Sequence, residues 1–200
     1  MSRQQVTRWS VVIALCLLIS GLTHYFFLSN FHSIITKKVY RSGQLSPVLI
    51  DHVLTHYKIK TIINLRGQNE TQRWYQQEMR ASQANHLEHI DIRLSSAQLP
   101  EPQELIQLVD SLINSKDPML IHCESGADRS GFAAAIIKIL HGSNLIEAKR
   151  QFSWRYYGFK AARIGDLSFE KYEHWLNAHQ LTHSREHFLT WVHAHDRYVF

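Results

Sequence analysis

Residues 118–140, PMLIHCESGADRSGFAAAIIKIL, limit what this chain can become more than any other stretch. PMLIHC reads as a short strand bounded by Pro118. Arg129 to Leu140 reads as an apolar, buried helix. A helix of that kind must be enclosed by other elements, so the surrounding sequence has to supply layers for it. It does. KVYRSGQ reads as a strand entering a turn, IKTIINLRG as a β-branched strand ended by glycine, and LEHIDIRL as an alternating strand. Between them lie helical stretches: SPVLIDHVLTHY, with Ser46 as N-cap and Pro47 in the first turn, ETQRWYQQEMRASQAN, and PQELIQLVDSLINS with its apolar stripe. Strands alternating with helices predict an α/β fold with a central, mainly parallel sheet flanked by helices. Three further helices are predicted at about Asn144 to Trp154, Leu167 to Ala178 and His183 to Ala194.

The amino-terminal end differs in kind. Trp9 to Leu28, WSVVIALCLLISGLTHYFFL, carries no formal charge, and Arg3 and Arg8 precede it. About 20 apolar residues cross a bilayer core as a helix. The expectation is therefore a single-pass anchor over 1–30 and one folded domain over 38–200, lying outside the cytoplasm, on the periplasmic side. A cleaved signal segment is the alternative, although its cleavage positions are poor.

Composition narrows the chemistry. The 44% apolar content supports a full core. The net charge of +5 suits an anionic substrate or membrane surface, and no basic block or zinc-finger spacing points to nucleic acid. The two cysteines are Cys16, in the apolar segment, and Cys123, which leaves neither a disulfide framework nor a cysteine-based zinc site. The histidine pairs His183/His187 and His193/His195 lack a third ligand, so no metal is expected.

The loop between the strand and the helix carries the chemistry. Backbone N–H groups at a helix start have no partner within the helix and bear partial positive charge, so they cradle anions. Gly126 lets the backbone of Glu124, Ser125, Gly126 and Ala127 curl inward, and Arg129 adds a planar fork for phosphate oxygens. The same field lowers the pKa of a thiol at Cys123; comparable cysteines fall to roughly 3.5–7.5. An ionised sulfur facing a bound phosphorus can form a phosphocysteine that water later cleaves. Ser130 can bond the departing thiolate, and His122 orients the loop. Taken singly, these residues have plain structural roles: a small buried cysteine, and Asp128 as a helix cap. It is the joint pattern His-Cys-x-x-Gly-x-x-Arg-Ser that favours catalysis.

HCESGADRSG resembles the signature loop of the cysteine-dependent protein-tyrosine and dual-specificity phosphatases. VYRSGQLS, IKTIINLRG and GADRSGFAAAI extend the resemblance to the bacterial dual-specificity-like group, over roughly Lys38 to Leu176. The resemblance implies Cys123 as nucleophile, Arg129 as phosphate ligand, Ser130 as thiolate stabiliser, and no metal or cofactor. The chain departs from it at the general acid, which the family usually places about 30 residues before the cysteine. Asp91 has that spacing but falls in a predicted strand, and the following loop offers only Glu101. Asp128, inside the cradle, is the alternative. Arg66, Lys160 and Arg163 are candidate contacts for a second anionic group. The expected substrate is a phosphorylated protein. A phospholipid head group such as phosphatidylglycerophosphate is the alternative, and a non-catalytic phosphate-binding module the outside possibility.

Overall fold

The computed structural model describes residues 3–152 and 164–199, without the side chains of residues 3, 4, 6, 7 and 22–28. Five strands form one mixed sheet in the order β1-β2-β5-β3-β4. The strands are β1 (His32–Ile35), β2 (Val39–Ser42), β3 (Thr61–Asn64), β4 (Glu88–Asp91) and β5 (Met119–His122). Only β1 runs antiparallel to its neighbour; the β2–β5, β5–β3 and β3–β4 pairings are parallel. Strand β1 lies between the expected anchor over 1–30 and the expected domain over 38–200. It is four residues long and turns straight back into β2, so it offers no alternation to detect.

The helices are α1 (Arg3–Leu28), α2 (Pro47–His56), α3 (Arg73–Ala84), α4 (Pro102–Asn114), α5 (Asp128–Leu140), α6 (Leu145–Lys149), α7 (Ile164–Ala178) and α8 (Arg185–His193). The predicted helix from Asn144 is shorter than expected. It tightens into a 3-10 turn at Arg150–Phe152, and the remainder of the predicted span lies outside the described residues. Ser46 does occupy the N-cap of α2, with extended backbone, but its side chain makes no capping bond; Pro47 begins the helix as expected.

Side chains alternate across the sheet with a period of two, and this divides the core. Tyr40, Ile62 and Leu120 pack with Ile50, Val53, Leu54 and Ala81 of α2 and α3. Val39, Ile63, Met119 and Ile121 pack on the other side, with α4, α5, α7 and α8. Helix α5 is the hub of that second layer, buried from Ser130 through Ile137. Its Phe132 and isoleucines each contribute roughly 1.5–3 kcal/mol through burial. The same alternation sends His122 toward α3 and Cys123 toward α5. Parallel register aligns Ser42, His122, Asn64 and Asp91 at one edge of the sheet, so the loops that follow them converge.

Helix α1 exposes Trp9, Val11, Val12, Ile13, Leu15, Leu17, Leu18 and Ile19. Among the described residues, however, no helix is long and apolar enough to cross a membrane. The spanning helix expected from the sequence, and with it the single-pass orientation, is not borne out there.

Candidate active site

The loop from Cys123 to Ala127 joins β5 to α5, and the scaffold holds its carbonyls from outside. The Glu124 carbonyl accepts from the backbone N–H of Gln44 at 3.0 Å. The Ser125 carbonyl accepts from Asn30 Nδ2 at 3.1 Å. The Gly126 and Ala127 carbonyls accept from Arg41 Nη2 at 2.8 and 3.0 Å. With these carbonyls drawn outward, the loop amides are turned toward its centre. This is the geometry of an anion nest. Gly126 makes the curl possible with φ of +72°. A Cβ there would lie 2.5 Å from the Gly43 nitrogen and 2.7 Å from the Ser42 carbonyl carbon, so no side chain fits.

Arg41 does much of this work. It lies on the α5 face of β2, is completely buried, and its other terminal nitrogen donates to the Gln151 carbonyl at 3.0 Å and to Gln151 Oε1 at 3.1 Å. One guanidinium thus ties the loop to the turn after α6. The sequence signal for this role was an arginine sharing a strand face with buried Val39.

Cys123 sits at the base of the nest, 1% exposed, with Sγ 3.5 Å from Ser130 Oγ. Burial pushes its thiol pKa up, but the Ser130 hydroxyl, the Arg129 charge and the backbone N–H groups of Ser130 and Gly126 outweigh this and bring it below the ordinary value. Arg129 is held loosely. Its Nη1 reaches the Leu65 and Leu94 carbonyls at 3.4 and 3.5 Å, its Nη2 lies 3.9 Å from Glu124 Oε2, and its Nε is buried without a hydrogen-bond partner. A buried guanidinium edge with an unused donor beside an amide nest suits a tetrahedral oxyanion.

Asp128 is the first residue of α5 rather than its cap; Ala127 takes the cap position. Asp128 is half-buried and adjoins Arg129 in the loop's last turn. The other carboxylates considered as acids are engaged elsewhere. Asp91 accepts from Asn64 Nδ2 at 2.7 Å and from the Tyr75 hydroxyl. Glu101 is exposed at the start of α4, where its backbone N–H bonds Glu104 Oε2 at 2.9 Å.

A polar cluster lies behind the nest, on the α3 side of the sheet. His122 Nε2 is 2.9 Å from Glu78 Oε1, and His89 Nε2 is 3.0 Å from the same oxygen. Gln44 Nε2 donates to Glu78 Oε2 at 2.8 Å. Arg66, half-buried, donates from Nη1 to Gln44 Oε1 at 3.0 Å and stacks on Trp74 at 3.7 Å. Burial lowers the Arg66 pKa, and the group also feels the charges of Glu124, Arg129, Cys123 and Glu78. Arg66 thus ends the hydrogen-bonded cluster on its Gln44 side. Lys160 and Arg163 lie outside the described residues. Of the paired histidines, His183 is engaged by Tyr172 and His187 by the Thr182 carbonyl.

The carboxy-terminal lobe braces the far rim of the site. The Ser96 carbonyl accepts from Ile164 N–H at 3.2 Å, and the Pro100 carbonyl from the Tyr198 hydroxyl at 2.8 Å.

A depressed cysteine in an amide nest, opposite an arginine, on a mixed α/β sheet, defines a cysteine-dependent phosphatase. More narrowly, residues 28–145 match the model of the tyrosine phosphatase family, and the chain belongs to that family. The fold is shared with the core catalytic domain of the PP-IP phosphatase SIW14 from S. cerevisiae, at TM-score 0.58 and 18% identity over 76% of this chain and 93% of that one. It is also shared with a putative phosphatase from Shewanella putrefaciens CN-32 (0.51, 13%, over 64% and 83%) and with TpbA of P. aeruginosa (0.50, 18%, over 62% and 71%). No curated protein matches the chain.

Proposed function

We propose that this enzyme hydrolyses phosphate monoesters of phosphorylated proteins, of the tyrosine or dual-specificity type, through a phosphocysteine on Cys123. The observation that carries the reading is the nest itself: carbonyls 124–127 tied outward, and a sulfur of depressed pKa at its base. In the first step the Cys123 thiolate attacks phosphorus and the ester P–O bond breaks. Amides of residues 124–127 and the Arg129 fork hold the three non-bridging oxygens, where charge concentrates. Asp128 gives its carboxyl proton to the departing oxygen. In the second step water attacks the phosphocysteine and loses a proton to the Asp128 carboxylate. The S–P bond breaks, phosphate leaves, and Ser130 bonds the regenerated thiolate. His122 holds the loop from behind.

Cys123 lies recessed at the nest base, which suits a long aryl ester such as phosphotyrosine, and Arg66 on its Trp74 support suits a second anionic group beside it. The exposed apolar side chains of α1 favour a second reading, in which residues 1–30 attach the 38–200 phosphatase domain to a membrane and the substrate is a phospholipid head group. The test is turnover by the full chain of an aryl phosphate, a phosphotyrosine peptide and a phosphatidylglycerophosphate vesicle, beside Cys123→Ser. The protein reading expects the peptide to be the best substrate and Cys123→Ser to be inert. Preference for the vesicle would select the lipid reading. Turnover by Cys123→Ser would refute both.

A further inference from the structure

We propose that Glu78, on α3 and outside the phosphate nest, is a positioning residue that keeps His122 doubly protonated directly behind the nucleophile. This rests on the reading of Cys123 as that nucleophile. The argument follows donors and acceptors from the rim inward. A guanidinium only donates, so the bond from Arg66 Nη1 makes Oε1 the acceptor end of the Gln44 amide. The Nε2 end of Gln44 must then donate to Glu78 Oε2. Glu78 Oε1 faces two ring nitrogens, those of His122 and His89. Both oxygens of Glu78 thus meet donors, which fits an ionised carboxylate.

His122 must carry hydrogen on Nε2 to bond that carboxylate. Its other ring nitrogen, Nδ1, faces the Cys123 carbonyl at 3.4 Å, and a carbonyl can only accept. Both ring nitrogens are therefore donors, and the ring is an imidazolium. Glu78 and His122 are 2% and 1% exposed, so little water screens the charge. The titratable and charged groups facing the pair are His89 from β4, with Asp91 3.7 Å beyond it, Cys123 at the end of β5, and Arg66 beyond Gln44. The result is a hydrogen-bonded line, Arg66–Gln44–Glu78–His122–Cys123, from the rim to the reactive residue. A buried cation one residue from the sulfur favours its thiolate, in concert with Arg129 and the amides.

The experiment uses the full chain with Cys16→Ser, so that alkylation reports on Cys123 alone. Glu78→Gln is close in shape and removes the charge. It is expected to raise the pH midpoint of iodoacetamide alkylation, and the acidic limb of kcat/KM for an aryl phosphate, by about one pH unit. His89→Gln leaves the Glu78–His122 contact in place and is expected to leave the midpoint where it was. An unmoved midpoint in Glu78→Gln overturns the proposal, as does an equal shift in His89→Gln, which would mark a general packing effect. Should Glu78→Gln fail to fold, ¹⁵N-histidine spectra of the unsubstituted chain decide. Both ring nitrogens of His122 should remain protonated at pH 8, and a neutral ring overturns the proposal. Cys123→Ser separates the two levels. Turnover by that variant sinks the nucleophile itself, whereas an inert Cys123→Ser with an unshifted Glu78→Gln sinks only the role of Glu78.

Discussion

Replacing Arg41 with methionine keeps the aliphatic stem and removes the guanidinium bonds to the second half of the nest, leaving the Ala127 carbonyl only its bond from the Gly131 N–H. The side chain makes hydrogen bonds of 2.8 to 3.1 Å to Gly126, Ala127 and Gln151, all in the interior. A hydrogen bond involving a charged group is worth roughly 1.5–3 kcal/mol, and stranded buried acceptors cost comparable amounts. Part of the loss is recovered as the loop relaxes toward water and as a buried charge is removed. A net destabilisation of about 4 kcal/mol is expected, and Tm should fall by about 8–16 °C. Turnover should suffer beyond the unfolded fraction, because the loop amides lose their common direction. Losing one preorganised oxyanion donor costs about 10²–10³-fold, so kcat/KM on an aryl phosphate should drop at least about 10²-fold at a temperature where the variant is fully folded. Arg41→Lys keeps the charge but not the fork, and should fall between. The assays are urea unfolding and initial rates on the same preparation. A methionine variant within about twofold of the parent rate, with an unchanged unfolding midpoint, would refute the claim that Arg41 orients the nest.

Gly126→Ala forces a Cβ to 2.5 Å from a backbone nitrogen at positive φ, so competitive inhibition by inorganic phosphate should weaken at least about 10-fold, checked by inhibition kinetics. Asp128→Asn should lower turnover of an alkyl phosphate by about 10²-fold and of a p-nitrophenyl ester far less, since only the alkyl oxygen needs a proton; equal losses would remove Asp128 from the acid role. The Glu78–His122 pair has a pH signature in stability. Burial opposes both charges, but each partner overcomes it, holding Glu78 below its ordinary 4.5 and His122 above its ordinary 6.5. The Glu78 contribution is present above 4.5 and fades as pH falls through its folded value. The His122 contribution is complete below 6.5 and fades as pH rises through its folded value. The stability gap between the parent and Glu78→Gln should therefore peak between about pH 4.5 and 6.5, measured by urea unfolding across pH.

The strand–loop–helix unit around Cys123 was legible because its signals are local: a β run, one glycine at positive φ and an apolar helix succeed one another along the chain. The plain structural alternative for Asp128, a helix cap, does not hold, because Ala127 takes that position and Asp128 begins the helix. Within the cluster behind the nest, His122 and Arg66 were legible as candidates, but Glu78, the acceptor at its centre, was not. Glu78 lies in a helix of glutamines and arginines, where a glutamate reads as solvated, and its partner is 44 residues away. Arg41 was hidden differently. An arginine in a strand reads as an outward residue, and only the packing of β2 against α5 turns it inward. The supports of the nest arise from long-range pairing, which periodicity cannot report.

The bonds from Tyr198 to Pro100 and from Ile164 to Ser96 have a practical corollary. The Leu94 carbonyl, just ahead of that segment, is one of the two that steady Arg129. A fusion partner appended behind Tyr198, or a protease nick in that tail, would thus tug indirectly on the phosphate-gripping guanidinium. Catalytic rate becomes a remote gauge of whether the last helices are docked.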